Sequence, residues 1–321
     1  MTLALLMPVI TDIEPVAKIA DRPEPKGLYP IREVARLTGI NPITLRAWER
    51  RYGLIQPTRT ESGHRLYTMS DIEAVRQVMG WLERGVAVSK VAELLARPTA
   101  SVSVPKEALV DEYEQWQARV QAALSAFNEA ELDRLYGQIF SSYPLEVVFK
   151  RIFMPLWEQL LKAQDEFGRT SEWLLLDRFL RGRVQQRLHL QPMDAHDCVL
   201  LVGLPELCTE LELLVTGLLL SRNDRLIRVL AVGQPLDELS LICEQVQPRV
   251  VVLFARQVLG AAHQRRLIRL AQSLDCSVAL AGEAANVAQD ALAGSSIACL
   301  GSETALINQR LDVELKQAAA R

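Results

Sequence analysis

The C-terminal part of the chain alternates five short apolar runs with helical stretches, and this alternation limits the fold more than any other feature of the sequence. β-branched residues are frequent in the runs, which span residues 198–204, 227–232, 250–254, 277–280 and 297–300. Strands that are apolar on both faces and are each followed by a helix are typical of a parallel sheet covered on both sides. Residues 193–321 are therefore predicted to form an α/β domain with a doubly wound, five-stranded parallel sheet.

The segment before this domain has helical spacing almost throughout. Four helices are expected, over residues 106–126, 129–142, 144–164 and 171–190, and they predict a helical bundle at residues 106–192. The string PTASVSVP at 98–105 has the composition of a linker. Residues 1–27 lack the basic region and the cleavage site of a secretory signal, so we interpret them as a flexible extension. The sequence thus indicates a multi-domain protein.

Residues 28–97 have the pattern of a small helical module. A short amphipathic helix is followed by Gly39, which is placed to end it, and then by Asn41 and Pro42, which suit the cap and first position of a second helix. The second helix is expected to run to about Tyr52. Two short helices joined by a tight turn that contains glycine form a helix-turn-helix, whose second helix can enter the major groove of DNA.

A wing is predicted directly after the second helix. The string LIQPTRTESGHRLYT at residues 54–68 reads as two short extended pieces around a turn at residues 61–63. Ser70 and Glu73 then have capping-box spacing at the start of a longer amphipathic helix, and a further short helix is expected at residues 89–97.

Charge is distributed unevenly between this module and the rest of the chain. The net charge is −3, but residues 28–97 carry 11 basic and 7 acidic residues, a net of +4, so the remaining residues carry −7. A basic module on an acidic body is expected when one end of a protein meets a polyanion. Arg46 and Arg50 share a helix face, where arginine can neutralise phosphates or bind a guanine edge. The predicted DNA-contact residues are Thr44, Arg46, Arg50, Arg51, Arg59, His64 and Arg65.

A solvated basic face on a small helical domain is the alternative interpretation of these arginines. Trp48 and Tyr52 are expected to belong to the apolar core rather than to a DNA contact surface.

The string TLRAWERRYGLIQPTRTESGHRLYT at residues 44–68 resembles the winged helix-turn-helix of MerR-family transcription regulators, in the branch that contains MlrA and the cobalamin-dependent light sensors CarH and LitR. The resemblance covers residues 28 to about 95 and implies a dimer or tetramer on pseudo-palindromic double-stranded promoter DNA, which it distorts between the half-sites. It also implies RNA polymerase as a candidate partner. Most MerR-type chains continue into a long dimerisation helix, whereas residues 98–105 interrupt this one, so the mode of dimerisation stays open. The resemblance assigns the DNA contacts to Thr44, Arg46, Arg50, Arg59, His64 and Arg65.

A bundle followed by a five-stranded sheet is also the order of the cobalamin-binding region in this branch, so the resemblance extends in pattern to nearly the whole chain. In those photosensors a histidine in a D/E-x-H-x-x-G loop after the first strand ligates cobalt. The best alignment of GLPELCTELELL places Thr209 at the histidine and Glu212 at the glycine. A threonine hydroxyl is a poor cobalt ligand compared with imidazole. Of the glycine pair expected after the fourth strand, only Gly282 is present.

The cap of the cofactor site departs from the family pattern in the same way. Trp157 matches the family's tryptophan, but Glu172 and Trp173 stand where a Glu-His pair is expected. We therefore interpret the body as an effector unit without a cofactor that serves dimerisation or protein contacts. The alternative is a cobalamin-dependent, light-sensing transcription regulator.

Other activities find little support in the sequence. The first strand is not followed by G-x-G-x-x-G, and the third ends at Phe254 without a phosphoacceptor aspartate. Glu206, Glu210 and Glu212 are interpreted as loop and helix-start carboxylates rather than an acid pair or a cation site. No nucleophile motif or histidine ligand spacing is found, so neither an enzyme nor a metal site is predicted. Five scattered cysteines without C-x-x-C and the lack of a run of about 20 apolar residues favour a cytoplasmic protein.

Overall fold

The computed structural model describes residues 27–83, 86, 88–95, 107–190, 197–222 and 224–319. The predicted extension before Gly27 and the predicted linker at 98–105 lie outside the described residues. In the described part of the chain, no helix combines the length and the apolar character needed to cross a bilayer. The predicted fold class, with a helix-turn-helix, a helical middle and a C-terminal parallel sheet, is confirmed.

Local signals set the two helices of the helix-turn-helix. Helix α1 (Ile31–Thr38) ends where Gly39 adopts a left-handed φ of 72°, a conformation that glycine takes without a steric penalty. Helix α2 (Pro42–Ala47) begins after Asn41, whose side-chain oxygen accepts a hydrogen bond of 2.8 Å from the amide two residues on. A π-helical turn (Trp48–Tyr52) extends α2, which confirms the predicted end of this helix.

The wing is part of a three-stranded antiparallel sheet. Strands β2 (Thr58–Arg59) and β3 (Arg65–Thr68) flank the predicted turn, and β1 (Leu28–Pro30) pairs with the other edge of β3. Strand β1 was not predicted, because a three-residue strand has no recognisable alternation and its partner lies far along the chain.

Helix α3 (Met69–Glu83) follows the wing, and α4 (Val88–Leu95) comes next. The capping box predicted at Ser70 and Glu73 is wrong, because the structure places it two residues earlier. The Thr68 amide donates to Asp71 Oδ2 at 2.8 Å, and the Asp71 amide donates to Thr68 Oγ1 at 3.1 Å. Ser70 and Glu73 have the same spacing as Thr68 and Asp71. The second pair forms the cap because β3 ends at Thr68, so the helix begins directly after it.

The middle of the chain is helical, as predicted. Its helices are α5 (Glu107–Ser125), α6 (Glu129–Ser142), the short α7 (Leu145–Val147), α8 (Met154–Lys162) and α9 (Arg169–His189).

The single helix predicted over residues 144–164 is instead interrupted by a π-helical turn at Val148–Phe153. Pro155 has no N–H to donate to the Arg151 carbonyl, the bond that a regular α-helix would form. Gln117 Nε2 donates to that oxygen instead, at 2.8 Å, so a side chain of α5 supports the irregular turn.

The C-terminal domain contains the predicted parallel sheet, in the order β5-β4-β6-β7-β8. Its helices cover both faces, with α10 and α14 on one side and α11, α12 and α13 on the other. The strands are β4 (Asp197–Gly203), β5 (Arg225–Val229), β6 (Val250–Phe254), β7 (Ser277–Ala281) and β8 (Ile297–Gly301). The helices are α10 (Glu210–Leu220), α11 (Leu239–Val246), α12 (Ala261–Ser273), α13 (Glu283–Ala288) and α14 (Thr304–Ala319).

The direction of the winding reverses between β4 and β6, which are neighbours in the sheet. Ligands of doubly wound sheets bind at this point, outside the carboxyl ends of the strands. The edge formed by the segments after β4, β6, β7 and β8 is called the carboxyl edge below.

One apolar core joins the three parts of the protein. It contains Trp48 and Val34 from the helix-turn-helix, Ile139 and Phe149 from the bundle, and Leu211 from α10. The helix-turn-helix is therefore packed against the bundle, and the bundle against the first helix of the α/β domain.

Candidate nucleic-acid interface

Helix α2 and its π-helical extension present a basic outer face and an apolar inner face. Arg46 and Arg50 are exposed, whereas Leu45 and Trp48 are fully buried. Among the residues that the structure describes, neither Arg46 nor Arg50 forms an ion pair. Two guanidinium groups one helical turn apart are thus available to an external anion.

Ile43 lies on the same outer face, three residues before Arg46, and is 54% exposed. The sequence analysis missed this residue, although its i, i+3, i+7 spacing with Arg46 and Arg50 was visible.

Thr44, a predicted DNA-contact residue, is buried, with only 1% of its surface exposed. It lies four residues before Trp48 and therefore shares the inner face of the helix. Its hydroxyl has no hydrogen-bond partner among the described residues. The structure directs this side chain into the protein, so we leave Thr44 out of the candidate interface.

Arg51 lies in the π-helical extension of α2, and the two together are called the recognition helix below. Its Nη1 donates to Ser142 Oγ at 3.0 Å, and Trp48 Nε1 donates to the carbonyl oxygen of the same residue at 2.9 Å. Ser142 is the last residue of α6, where a helix leaves carbonyl groups without intrahelical partners. Arg51 therefore connects the recognition helix to the bundle in this structure.

The wing arginines converge on one carboxylate. Arg59 Nη2 and Arg65 Nε donate to the two oxygens of Glu49, at 3.1 and 2.5 Å. Partial burial alone would raise the pKa of Glu49, but the hydrogen bonds and charges of Arg65 and Arg59 hold it below its ordinary value. Glu49 was not predicted as a site residue. The one sequence feature that could have indicated its role is its position between Arg46 and Arg50.

This arrangement holds the wing against the recognition helix. Arg65 is half-buried and uses Nε towards Glu49, while Arg59 and His64 are exposed. His64 lies beyond the turn at Gly63, where its backbone oxygen accepts from the Thr60 amide at 2.9 Å. The interface therefore has two parts at fixed spacing, an exposed helix face and a short basic wing.

The carboxyl edge of the parallel sheet is the second candidate site. Thr209 and Glu212 form a capping box at the start of α10, in which the Thr209 amide donates to Glu212 Oε2 at 2.9 Å and the Glu212 amide donates to Thr209 Oγ1 at 3.3 Å. The remaining oxygen of Glu212 accepts from Arg256 Nη1, beyond the end of β6. Both residues at the positions expected for cobalt ligation and corrin approach therefore have structural roles.

Within the part of the chain that the structure describes, three cation–carboxylate pairs connect the bundle to this edge. Arg256 pairs with Glu158 of α8 at 2.9 Å, and Arg181 of α9 pairs with Glu210 of α10 at 2.6 Å. The third pair joins Lys150, in the π-helical turn at Val148–Phe153, to Glu303, the residue before α14, at 3.1 Å. Ion pairs thus occupy the edge after β4, β6 and β8.

Trp157 and Gly282 also have structural explanations. Trp157 is fully buried, its Nε1 donates to Asp177 Oδ1 at 3.0 Å, and its ring packs against Trp173 with centroids 5.7 Å apart. Gly282 has a φ of 96°, and a Cβ there would lie 2.2 Å from the carbonyl oxygen of Ala255. Trp157 and Gly282 thus have structural roles, as Thr209 and Glu212 do.

Comparison with known proteins agrees with the geometry of the N-terminal module. The profile of the MerR HTH family of regulatory proteins matches residues 29–97. The HTH-type transcriptional repressor CarA of Myxococcus xanthus is 31% identical over 227 residues, which cover 70% of this chain and 75% of CarA. This chain belongs to the MerR HTH family. The resemblance found in residues 44–68 is confirmed.

Other relatives of this MerR-family chain match over shorter segments or at lower identity. The HTH-type transcriptional regulator MlrA of Escherichia coli K12 is 38% identical over 137 residues, so this chain spans about half the length of MlrA, 52% of it. The monomethylamine corrinoid protein of Methanosarcina barkeri covers 62% of this chain and 99% of its own, with 10% identity and a TM-score of 0.43. That similarity is too distant to carry an argument about this chain.

Proposed function

We propose that this chain is a sequence-specific, DNA-binding transcription regulator of the MerR type. The observation that carries the proposal is the pair Arg46 and Arg50, on the outer face of α2 and its π-helical extension. Both side chains are exposed, neither has an ion-pair partner among the described residues, and both lie beside a basic wing that Glu49 holds in place. We assign the contacts to double-stranded promoter DNA to Arg46, Arg50, Arg59, His64 and Arg65. RNA polymerase is the second partner that we propose, and the cytoplasm is the compartment.

The two parts of the interface have different roles in this proposal. Arginine donors in the major groove can bind the O6 and N7 atoms of guanine, and an exposed apolar side chain can contact a thymine methyl group. Arg46, Arg50 and Ile43 are suited to these contacts. Wing side chains at the adjacent backbone neutralise phosphates, which positions the protein without reading the sequence. Arg59 and His64 are suited to that second role.

We propose that the units are an N-terminal DNA-binding domain at residues 28–97, a bundle at 106–192 and an α/β domain at 193–321. In a MerR-type regulator that binds two half-sites, the bundle and the α/β domain would supply dimerisation or protein contacts. We propose that this body works without a cofactor. The capping role of Thr209 and Glu212 and the buried position of Trp157 support this proposal.

The test of the DNA-binding proposal is Arg50→Ala, measured by fluorescence anisotropy on the promoter region of the protein's own gene at several salt concentrations. The loss should be about 1–3 kcal/mol with relaxed sequence preference if Arg50 reads a base, or a reduction of the salt slope by about one if it contacts phosphate. Arg265→Ala is the matched control, because Arg265 is an exposed arginine on α12. Equal binding by both variants and the wild type would remove Arg50 from the interface.

A separate measurement tests the cofactor-free body. Protein purified in the dark with adenosylcobalamin should show no corrin absorption after gel filtration, and it should shift promoter DNA equally in darkness and after illumination. Co-elution of a corrin spectrum with the protein, together with light-dependent DNA binding, would establish the alternative of a cobalamin-dependent light sensor.

A further inference from the structure

Two cysteines meet at the edge of the parallel sheet opposite the carboxyl edge. Cys243 lies in α11, which precedes β6, and Cys276 immediately precedes β7. Strands β6 and β7 are parallel neighbours, so the segments that lead into them lie side by side. Cys243 and Cys276 line the same cavity, and their side chains interact there, with the Cys243 thiol as donor and the Cys276 sulfur as acceptor.

The thiol pair is accessible from solvent. Both cysteines are half-buried, and both line a cavity of about 420 Å³ that is open on one side. Ser240, Glu244 and Asp275 are among the other lining residues, so the cavity is polar and admits a small neutral molecule more readily than an anion.

The interaction between the two thiols shifts their pKa values in opposite directions, and it raises the pKa of Cys243. The hydrogen bond from Cys243 lowers the pKa of Cys276, against the opposing effects of burial and of the Asp275 charge. Burial raises the pKa of Cys198 and of Cys299, and it raises the pKa of Cys208 to about 11. Because the thiolate is the nucleophile, Cys276 is expected to react first with an oxidant.

We propose that Cys243 and Cys276 are a reversible oxidation site that a hydroperoxide converts into a disulfide. In the first step the Cys276 thiolate attacks the peroxide oxygen, the O–O bond breaks, and a sulfenic acid and an alkoxide or hydroxide form. In the second step Cys243 sulfur attacks the Cys276 sulfur, the S–O bond breaks, and hydroxide leaves while the Cys243 proton goes to solvent. The peroxide is reduced to an alcohol or water, and a dithiol reductant restores both thiols.

The test treats the full-length protein with hydrogen peroxide in buffer that contains a metal chelator, then alkylates the remaining thiols and measures the intact mass. The chain has five free thiols, and the expected product has lost two of them and carries three labels. A non-reducing peptide map should join Cys243 to Cys276, and a dithiol should restore all five labels. Cys276 should be oxidised faster than Cys198 or Cys299.

Serine variants separate the two steps. Cys243→Ser leaves no resolving thiol, so a 1,3-dione probe should trap a sulfenic acid on Cys276, whereas Cys276→Ser should abolish both the disulfide and the trapped adduct. Cys299→Ser is the matched control and should form the disulfide at the wild-type rate. Circular dichroism confirms that each variant is folded.

Either of two results would overturn the proposal. One is loss of label from all five cysteines at similar rates, which would indicate general oxidation. The other is disulfide formation only after the protein is denatured, which would show that the native chain does not bring the two sulfur atoms together productively.

Discussion

The substitution Trp48→Phe is expected to weaken the attachment of the DNA-binding module to the bundle. Trp48 is fully buried and its Nε1 donates to the carbonyl oxygen of Ser142 at 2.9 Å. Phenylalanine retains an aromatic ring but has no donor, so the carbonyl at the end of α6 loses its partner. A buried acceptor without a partner costs about 1–3 kcal/mol, and the smaller ring adds about 1 kcal/mol through imperfect packing. The total loss in the free energy of unfolding should be about 2–4 kcal/mol.

Far-UV circular dichroism in urea measures this loss without depending on tryptophan emission, and native-state hydrogen exchange locates it. Amides of α1 and α2 should lose protection by the same free energy, whereas amides of α9 should change little, because α9 packs chiefly against α8 and α10. The comparison therefore separates release of the module from general destabilisation.

Ser142→Ala is the matched control. It removes the hydroxyl that accepts from the exposed Arg51 but keeps the backbone oxygen that accepts from Trp48, so it should cost less than about 1 kcal/mol. If Trp48→Phe costs no more than Ser142→Ala, or if α9 loses as much protection as α2, the Trp48 hydrogen bond does not hold the two units together.

Three further substitutions test other parts of the structure. Glu49→Gln should lower DNA affinity several-fold although it removes a negative charge, because Arg59 and Arg65 lose the carboxylate that holds the wing. The folded-state pKa of Glu49 is lowered, so the pairing is present at neutral pH and is lost as the pH falls through that pKa. Anisotropy titrations should therefore show that the difference in affinity between wild type and variant disappears in acid, and a gain in affinity would refute the reasoning. Glu212→Ala should lower the free energy of unfolding, measured in urea, by about 1–3 kcal/mol, because it removes the capping box and a partner of Arg256. Glu210→Ala is the control and should lower it by less than about 1 kcal/mol, because Glu210 is more exposed. Equal losses would contradict the capping role. Gly282→Ala should lower the Tm by at least several degrees, because the new Cβ would meet a backbone oxygen. Gly137→Ala in α6 is the control and should be neutral or stabilising, because a Cβ at that position has open space around it. An unchanged Tm for Gly282→Ala would show that the backbone moves aside easily.

Local sequence signals predicted those parts of the fold that depend on a few adjacent residues. Gly39 and Asn41 set helix ends through their own backbone and side-chain chemistry, and both act as predicted. The five strands of the parallel sheet were predictable because burial on both faces makes each one a continuous apolar run. The spacing of four residues placed Arg46 and Arg50 on one face of the second helix, and both are exposed on α2 and its π-helical extension.

Features that depend on distant partners were not predictable in this way. The π-helical turn at Val148–Phe153 involves Gln117 on another helix, and the partner of Trp48 lies 94 residues along the chain. Thr44 is different, because its spacing of four residues from Trp48 already indicated the buried face. Its assignment as a DNA contact rested on its place in the second helix and on the family resemblance, and neither took account of the helix face on which it lies.

The bundle contacts both the N-terminal module and the carboxyl edge of the sheet. A signal that passes from the sheet to the module would therefore have to pass through the bundle. At one end α6 holds the recognition helix through the buried Trp48, and at the other end ion pairs such as Arg181–Glu210 hold the carboxyl edge of the sheet. These ion pairs are partly exposed to solvent, so each contributes about 1 kcal/mol or less, whereas the Trp48 contact contributes two to four times as much. A partner that binds the body can shift the arrangement only by the difference in its affinity for two states. We therefore expect a partner that binds the body to alter the ion pairs of the carboxyl edge before it alters the Trp48 contact, and the N-terminal module to stay with α6.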